Sequence, residues 1–474
     1  MAIIDLLNFS GFLQTTTSSF LRRNDQLELA INVNGDNIGS VTKRLGYSLF
    51  QDYGSSVTGL WSYNDVSGGN RYLLAFDSGT LKYSTGGAPS SIVGGLTTTA
   101  KVEFTTFLDQ AFVVGANSSN TYLTTATIDG VTYSTTNNVT NAPKAKYVEV
   151  FRDRVYLADV EVSGTRYPDR FYYSSTPDSA GTSITWTATD FERVYTNNGE
   201  PIMGIHTNKF LNELLIFKET SMHAWDTVRL RDIASIGTSA HRSIKTVNYT
   251  TFFFNRDGIY AYTGSVPQLV SRPIQKWIDG ITQSALVDVF AMDDENKYYK
   301  LFVGSITVDG TTYSNCEIRY SLVDNSFTIY SYFDTFSIYA SHIVSSVQRI
   351  YAGDTSGDVH TLAGKGDTVY SDDSNPIAAQ FMTKAFDLGI PSEQKFTETV
   401  TLFSNKSQNL TFRYRVDGGD WSTHSAIDKK IDPRRINPAQ GYLFQFHFSE
   451  SSTVAPFEFQ GLSFTPRLTT DRHG

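Results

Sequence analysis

The stretch Thr250–Gly264, TTFFFNRDGIYAYTG, constrains the fold more than any other. Thr250–Asn255 is aromatic and β-branched, residue types that suit a pleated strand. Asp257–Gly258 follows as a tight-turn pair, because glycine accepts the positive φ that a primed turn demands. Ile259–Thr263 then returns as a second strand, ended by Gly264. Looser versions of this hairpin recur along most of the chain, and antiparallel hairpins in series must cover one another's apolar faces.

From about Ser56 to about Tyr370, apolar alternation and turn punctuation mark seven strand-rich groups. The first holds GLWSYND, YLLAFDS, TLKYSTG and SSIVGGLT. The third holds KYVEVFR, RVYLADV, RFYYSST and ITWTA. The seventh is less regular, with FSIYASHIV, RIYAGD and DVHTLAG. Their spacing of about 40–50 residues is that of a four-stranded propeller blade. One such blade cannot cover its own faces, whereas blades around an axis cover each other and a closed ring protects the edges. The pattern predicts an all-β chain with a β-propeller of about seven four-stranded blades over 57–374, six or eight being the neighbouring counts. One or two β-sandwiches are the alternative. The WD and kelch signatures are absent, and helical periodicity is confined to short stretches such as Val270–Ile281.

Residues 1–56 do not repeat. Within them Gly39–Phe50, GSVTKRLGYSLF, reads as an arm or as a strand closing the ring. From 375 the strands lengthen and alternate cleanly, as in ETVTLFSN, NLTFRYRVDGGDWSTH and GYLFQFHFSES. This predicts an antiparallel β-sandwich over 375–474, a span of about a hundred residues that is usual for one. The polar tail after Pro466 reads as frayed.

A formal net charge of −9 argues against a general nucleic-acid-binding surface, which needs clustered Lys and Arg. It is compatible with a wall past which DNA slides without sticking. Cys316 stands alone, so no intrachain disulfide forms and assembly in a reducing cytosol fits. The start, MAIIDLLNFSGFLQ, lacks the basic and cleavage features of a signal peptide, and no run approaches a membrane span.

Chemistry-bearing motifs are sparse. Asp354-Thr-Ser-Gly-Asp358 has part of a calcium loop's oxygen spacing but no distal bidentate Glu, and reads as a turn. Asp293-Asp294-Glu295 reads as a solvated hairpin tip. Thr176-Pro-Asp178-Ser-Ala-Gly181…Trp186 resembles a displaced Asp-box, a structural turn with a packing Trp. His206, His223, His241, His342 and His360 stand singly, without metal-ligand spacing. No nucleophile elbow or phosphate loop occurs. The expectation is therefore no catalytic residue, no metal, no cofactor and no enzyme. Paired acids for glycoside hydrolysis need only be close in space, so a glycan-binding or glycan-cleaving propeller stays an alternative. The densest basic patch is Lys429, Lys430, Arg434 and Arg435, around Asp432-Pro433. It reads as a protein–protein contact before a contact with DNA.

The run Arg170-Phe-Tyr-Tyr-Ser-Ser…Trp186…Asp190-Phe191 is similar to a motif of bacteriophage tail propeller proteins. It continues as Pro201-Ile-Met-Gly204, Leu214-Leu-Ile-Phe-Lys218 and Phe253–Tyr260, with Lys43-Arg44-Leu-Gly46-Tyr47 resembling their opening segment. The resemblance spans about residues 36–270 and rests on dispersed positions. It implies the tail hub or nozzle proteins of short-tailed phages: non-enzymatic propellers, usually six copies in a ring. That ring prolongs the DNA channel below the portal and adaptor and helps retain the genome. Implied partners are further copies of the chain, adaptor or portal-side proteins, tail fibre or needle proteins and passing double-stranded DNA, without membrane insertion. The implied location is the virion tail, after assembly in the host cytoplasm. A cellular structural propeller is the remaining rival.

Overall fold

The computed structural model describes residues 3–468 apart from 19–20, 36, 38, 196–198, 345–346, 406–408 and 428. The tail from 469 lies outside the described residues. The chain is all-β, and its middle is a succession of four-stranded antiparallel sheets. The first five run Val57–Val93, Lys101–Ser134, Lys144–Arg193, Gly204–Ala234 and Lys245–Leu269, each a meander in sequence order. The sixth is Phe290–Ser331. The seventh takes three strands from Phe336–Leu362 and its fourth from Tyr47–Asp52, which pairs antiparallel with Asp358–Leu362.

Burial explains why these segments became strands. The second strands read as unbroken apolar runs (YLLAF, QAFVVGA, ELLIF, TFFF) because both faces are covered. Leu74 and Phe76 face the second sheet, while Leu73 and Ala75 face the seventh. Leu214 and Ile216 pack on the third sheet, while Leu215 and Phe217 pack on the fifth. Period-two alternation thus assigns every other side chain to a different neighbour. Cores of this kind join each sheet to the next, and the last joins Tyr351 and Val359 of the seventh to Val57 and Leu60 of the first. The circuit closes, and the arrangement is propeller-like.

Two details differ from the sequence reading. ITWTA is not the outer strand of the third sheet; Phe191–Arg193 is. Trp186 is instead drawn inward, where its Nε1 donates to Asn138 O at 2.9 Å. The helical stretch reduces to Arg272–Ile274 and Gln275–Asp279, with Pro273 in the first turn and Gly280 at the end, where Thr307 O leaves no room for a Cβ.

After 375 the strands fall into two sets that share an aromatic core. One has the order Ile431–Gly441, Lys395–Ser404, Glu458–Phe464, Val41–Lys43, Val33–Asn34, and Ile4–Leu6 also pairs with Glu458–Phe464. The other runs Gln26–Ile31, Asn375–Thr383, Phe444–Ser452, Thr411–Val416. Phe448 against Phe459, ring centres 4.4 Å apart, lies between them. Residues 1–56 are therefore divided, with strands before 44 in these sheets and Tyr47–Asp52 in the ring. Hydrogen bonding runs on through fifteen strands only because single pairs, Ile31 with Ile329 and Asp372 with Tyr47, bridge otherwise separate sheets.

Candidate functional site: a locked junction, a polar axis and a basic edge

Lys43-Arg44-Leu45-Gly46-Tyr47 passes from the C-terminal sheets into the ring, and each side chain is committed there. Lys43 Nζ lies 2.8 Å from Glu450 Oε2, both almost wholly buried, and donates to Ser452 O at 2.7 Å. Arg44 uses all five of its N–H groups. Two go to the Asp372 carboxylate at 2.8 and 2.6 Å, and the others to Asn32 Oδ1, Leu45 O and Ser331 O. The guanidinium also lies over Tyr332, 4.4 Å from its ring centre. A Cβ on Gly46 would come within 1.8 Å of Ser371 O, so only glycine fits. Tyr47 Oη donates to Asp334 Oδ2 at 2.8 Å.

The first strands of the sheets surround an axis lined by Glu103, Tyr147, Glu149, His206, Lys245 and Asp293, with His241 and Arg242 on the connector between the fourth and fifth sheets. Arg242 Nε donates to Glu103 Oε1 at 2.7 Å, and its Nη2 reaches Thr58 O of the first sheet at 2.7 Å. Lys101 of the second sheet pairs with Asp288, which precedes the sixth. Side chains thus cross the axis of a single chain. His206 Nε2 bonds Thr246 Oγ1 at 2.9 Å, linking the fourth and fifth sheets. Burial, then the neighbouring Lys245, pushes His206 down to about 3. Burial also takes His241 to about 4, against the pull of Glu103. Burial raises Glu149, whereas Arg242 and His241 overcome burial at Glu103 and lower it.

The four basic residues singled out in the sequence do not act alike. Lys429, Lys430 and Arg435 are exposed. Arg434 is turned inward, donating to Ala426 O at 2.7 Å and Asp432 Oδ2 at 2.5 Å. All four lie on or beside Ile431–Gly441, which ends its sheet's order and carries an exposed Ile431. Charges and Pro433 on such an edge discourage strand addition, which leaves side chains as the means of contact.

Asp178 and Asp354 hold turns, whereas Asp293 and Asp294 are half-buried residues of the strand Phe290–Asp294 rather than a solvated tip. Asp354 Oδ1 accepts N–H groups of Ser356, Gly357 and Asp358, and with His360 and Ser356 these hold its carboxyl near 2 despite burial. Asp178 accepts the N–H groups of Thr182 and Ser183. Asp293 accepts the N–H of Asn296, and Asp294 pairs with Lys300 at 2.7 Å. Arg170 is sandwiched by Tyr167 and Phe191 at 3.8 and 4.4 Å. His342 Nδ1 bonds Ser62 Oγ at 2.8 Å across the closure between the seventh and first sheets. One grouping escaped the sequence reading: Asp334, Asp354 and His360 converge, although no spacing rule links residues from three separate elements. No family model matches this chain, and no curated protein matches it.

Proposed function

We propose that this chain is a structural component of a bacteriophage tail, a hub or nozzle subunit that builds a ring, extends the DNA channel and helps retain the genome. In this reading residues 57–374, closed by Tyr47–Asp52, form a seven-bladed β-propeller. Residues 375–474, completed by the N-terminal strands, form a β-sandwich. The observation that carries the reading is the use of buried charge. Lys43–Glu450 and Arg44–Asp372 lock two modules together rather than lining a cleft. Such locking makes a stiff brick, as a pressure-bearing channel requires. Because Arg242 crosses the chain's own axis, DNA passes between copies and not through one. A net charge of −9 suits a wall that does not bind it. Closure above two copies makes the contacts heterologous, and the exposed Lys429, Lys430 and Arg435 are assigned to them. Adaptor or portal-side proteins and fibre or needle proteins are the other neighbours. The subunit is not an enzyme, and it is assembled in the host cytoplasm. Cryo-microscopy of the purified protein and of virions tests this. A ring of copies, six expected, with a central opening supports it; a chain that stays monomeric and is missing from particles overturns it.

Glu103 and Glu149 favour a second reading, glycan cleavage at the axis, because both act on Lys245 and their environments push the two carboxyls in opposite directions. Hydrolysis of host-surface glycan that disappears in both Glu103→Gln and Glu149→Gln would establish it.

A further inference from the structure

In the seventh sheet two carboxylates converge on one imidazole, with two further aspartates on the adjacent strand pair. His360, almost fully buried, points Nε2 at Asp354 Oδ2, 3.3 Å away, and at Asp334 Oδ2, 3.7 Å away. Asp358 lies two residues from His360 and pairs across the strands with Asp52. Among the described residues, no lysine or arginine forms an ion pair with any of these four aspartates. Bare carboxylates at this density around one imidazole repel each other. By contrast, the buried Glu450, Asp372 and Asp159 are met by Lys43, Arg44 and Arg166.

We propose that Asp334, Asp354 and His360 bind one divalent cation of the zinc or manganese class, and that this ion pins the strand closing the ring. One nitrogen and two oxygens from three elements are a borderline-to-hard donor set suited to such ions. Ligand atoms on a tetrahedral ion with bonds of about 2.0–2.1 Å sit about 3.3 Å apart, close to the observed 3.3 and 3.7 Å. Each carboxylate is itself oriented, as metal-binding carboxylates are. Asp354 is fixed by three backbone N–H groups and the Ser356 hydroxyl, and Asp334 by Tyr47 Oη at 2.8 Å. Asp334 is the half-buried member, which leaves a route from solvent. Tyr47 belongs to the closing strand, so an ion on Asp334 couples the lead into the seventh sheet, its hairpin and that strand. The inference is independent of the virion reading.

The test uses the full chain stripped with chelator. Zinc and manganese are titrated by calorimetry and by the shift in melting temperature, and manganese binding is read separately by electron paramagnetic resonance. One ion per chain and a rise in melting temperature are expected. Asp334→Asn should lose binding, whereas Tyr47→Phe should still bind one ion but lose part of the rise in melting temperature, because the link from Asp334 to the closing strand is gone. No binding of either ion to the wild-type chain overturns the proposal, as does an Asp334→Asn variant that responds like wild type. Should Asp334→Asn fail to fold, the wild-type titrations still decide.

Discussion

Acidification from pH 7 to pH 5 should take most of this protein's stability through a few imidazoles. Burial pushes His342 down to about 4, helped by Arg71, and His447 to about 4, flanked by Arg413 and Arg415. Neither has a carboxylate among its perturbing neighbours. His206 and His241 are held at about 3 and about 4 on the axis. Unfolded imidazoles titrate near 6.5, so at pH 5 the unfolded chain binds protons that the folded chain refuses. The penalty is about 1.36 kcal/mol for each pH unit below 6.5, about 2 kcal/mol per group. For a histidine whose folded pKa is depressed, the contribution is complete above 6.5 and lost as pH falls toward the folded value. His206 and His241 count for less, because each keeps part of its surface in water and faces Glu149 or Glu103. The four together remove about 5–8 kcal/mol, comparable with the whole net stability of about 5–15 kcal/mol usual for a folded domain. Glu149 and Asp293, both raised, act with the opposite sign and return stability as pH falls through their folded values. Urea midpoints measured every half unit from pH 7.5 to 4.5 should fall steeply below 6.5. His342→Gln, which can still bond Ser62, should flatten the slope by about one proton. Midpoints unchanged between pH 7 and 5 would refute the assignment of neutral, sealed imidazoles.

Arg44→Ala leaves Asp372 buried without its partner and should cost about 3–5 kcal/mol, read as a lower denaturation midpoint. Arg44→Lys should recover little, since a point charge cannot satisfy five acceptors. Gly46→Ala forces the chain off Ser371 and should prevent soluble expression or expose the ring to proteolysis. Exchanging Lys429, Lys430 and Arg435 together for Glu should change stability by no more than about 0.5 kcal/mol, as exposed substitutions do. The same exchange should weaken assembly, measured by sedimentation. Arg434→Glu instead breaks the pair with Asp432 and should destabilise the chain before any assembly defect is seen. Phe253→Ala, at the seam of the fourth and fifth sheets, should cost about 3–5 kcal/mol in thermal or urea unfolding.

What could be read from the sequence is what short-range pattern controls. Hairpins such as Thr250–Tyr262 are encoded locally by alternation and by Asp257-Gly258, so the seven groups were legible. The seventh group looked irregular because its outer strand lies about three hundred residues upstream, beyond the reach of any window. ITWTA misled for a related reason. Trp186 and Ile184 are apolar to fill the gap between the second and third sheets, and loop residues recruited to a core carry the same signature as a strand. The basic patch was visible as composition, but strand alternation separates Arg434 from Arg435, and only pairing geometry reveals which one faces Asp432. The Asp334–Asp354–His360 grouping follows from the pairing of the seventh sheet's own strands, and only the axis acids depend on how the sheets are arranged around one another.

Closure also orders events in folding. Tyr47–Asp52 completes the ring directly after Lys43 and Arg44, whose anchors are Glu450 and Asp372. Val41–Lys43 and Ile4–Leu6 likewise pair on Glu458–Phe464, close to the end of the described chain. Strands early in this sequence therefore pair with strands late in it, and the contacts that join them span more than four hundred residues. Such non-local closure is slow, because its loop entropy is lost before the contacts form. Until then the outward faces of the first and seventh sheets, Leu73, Ala75, Tyr351 and Val359, lie open. The charged lock at Lys43–Arg44 suits this delay. A buried ion pair adds little over a hydrophobic pair in stability but rejects any partner of the wrong geometry, and an open ring with seven similar seams has many wrong partners within reach.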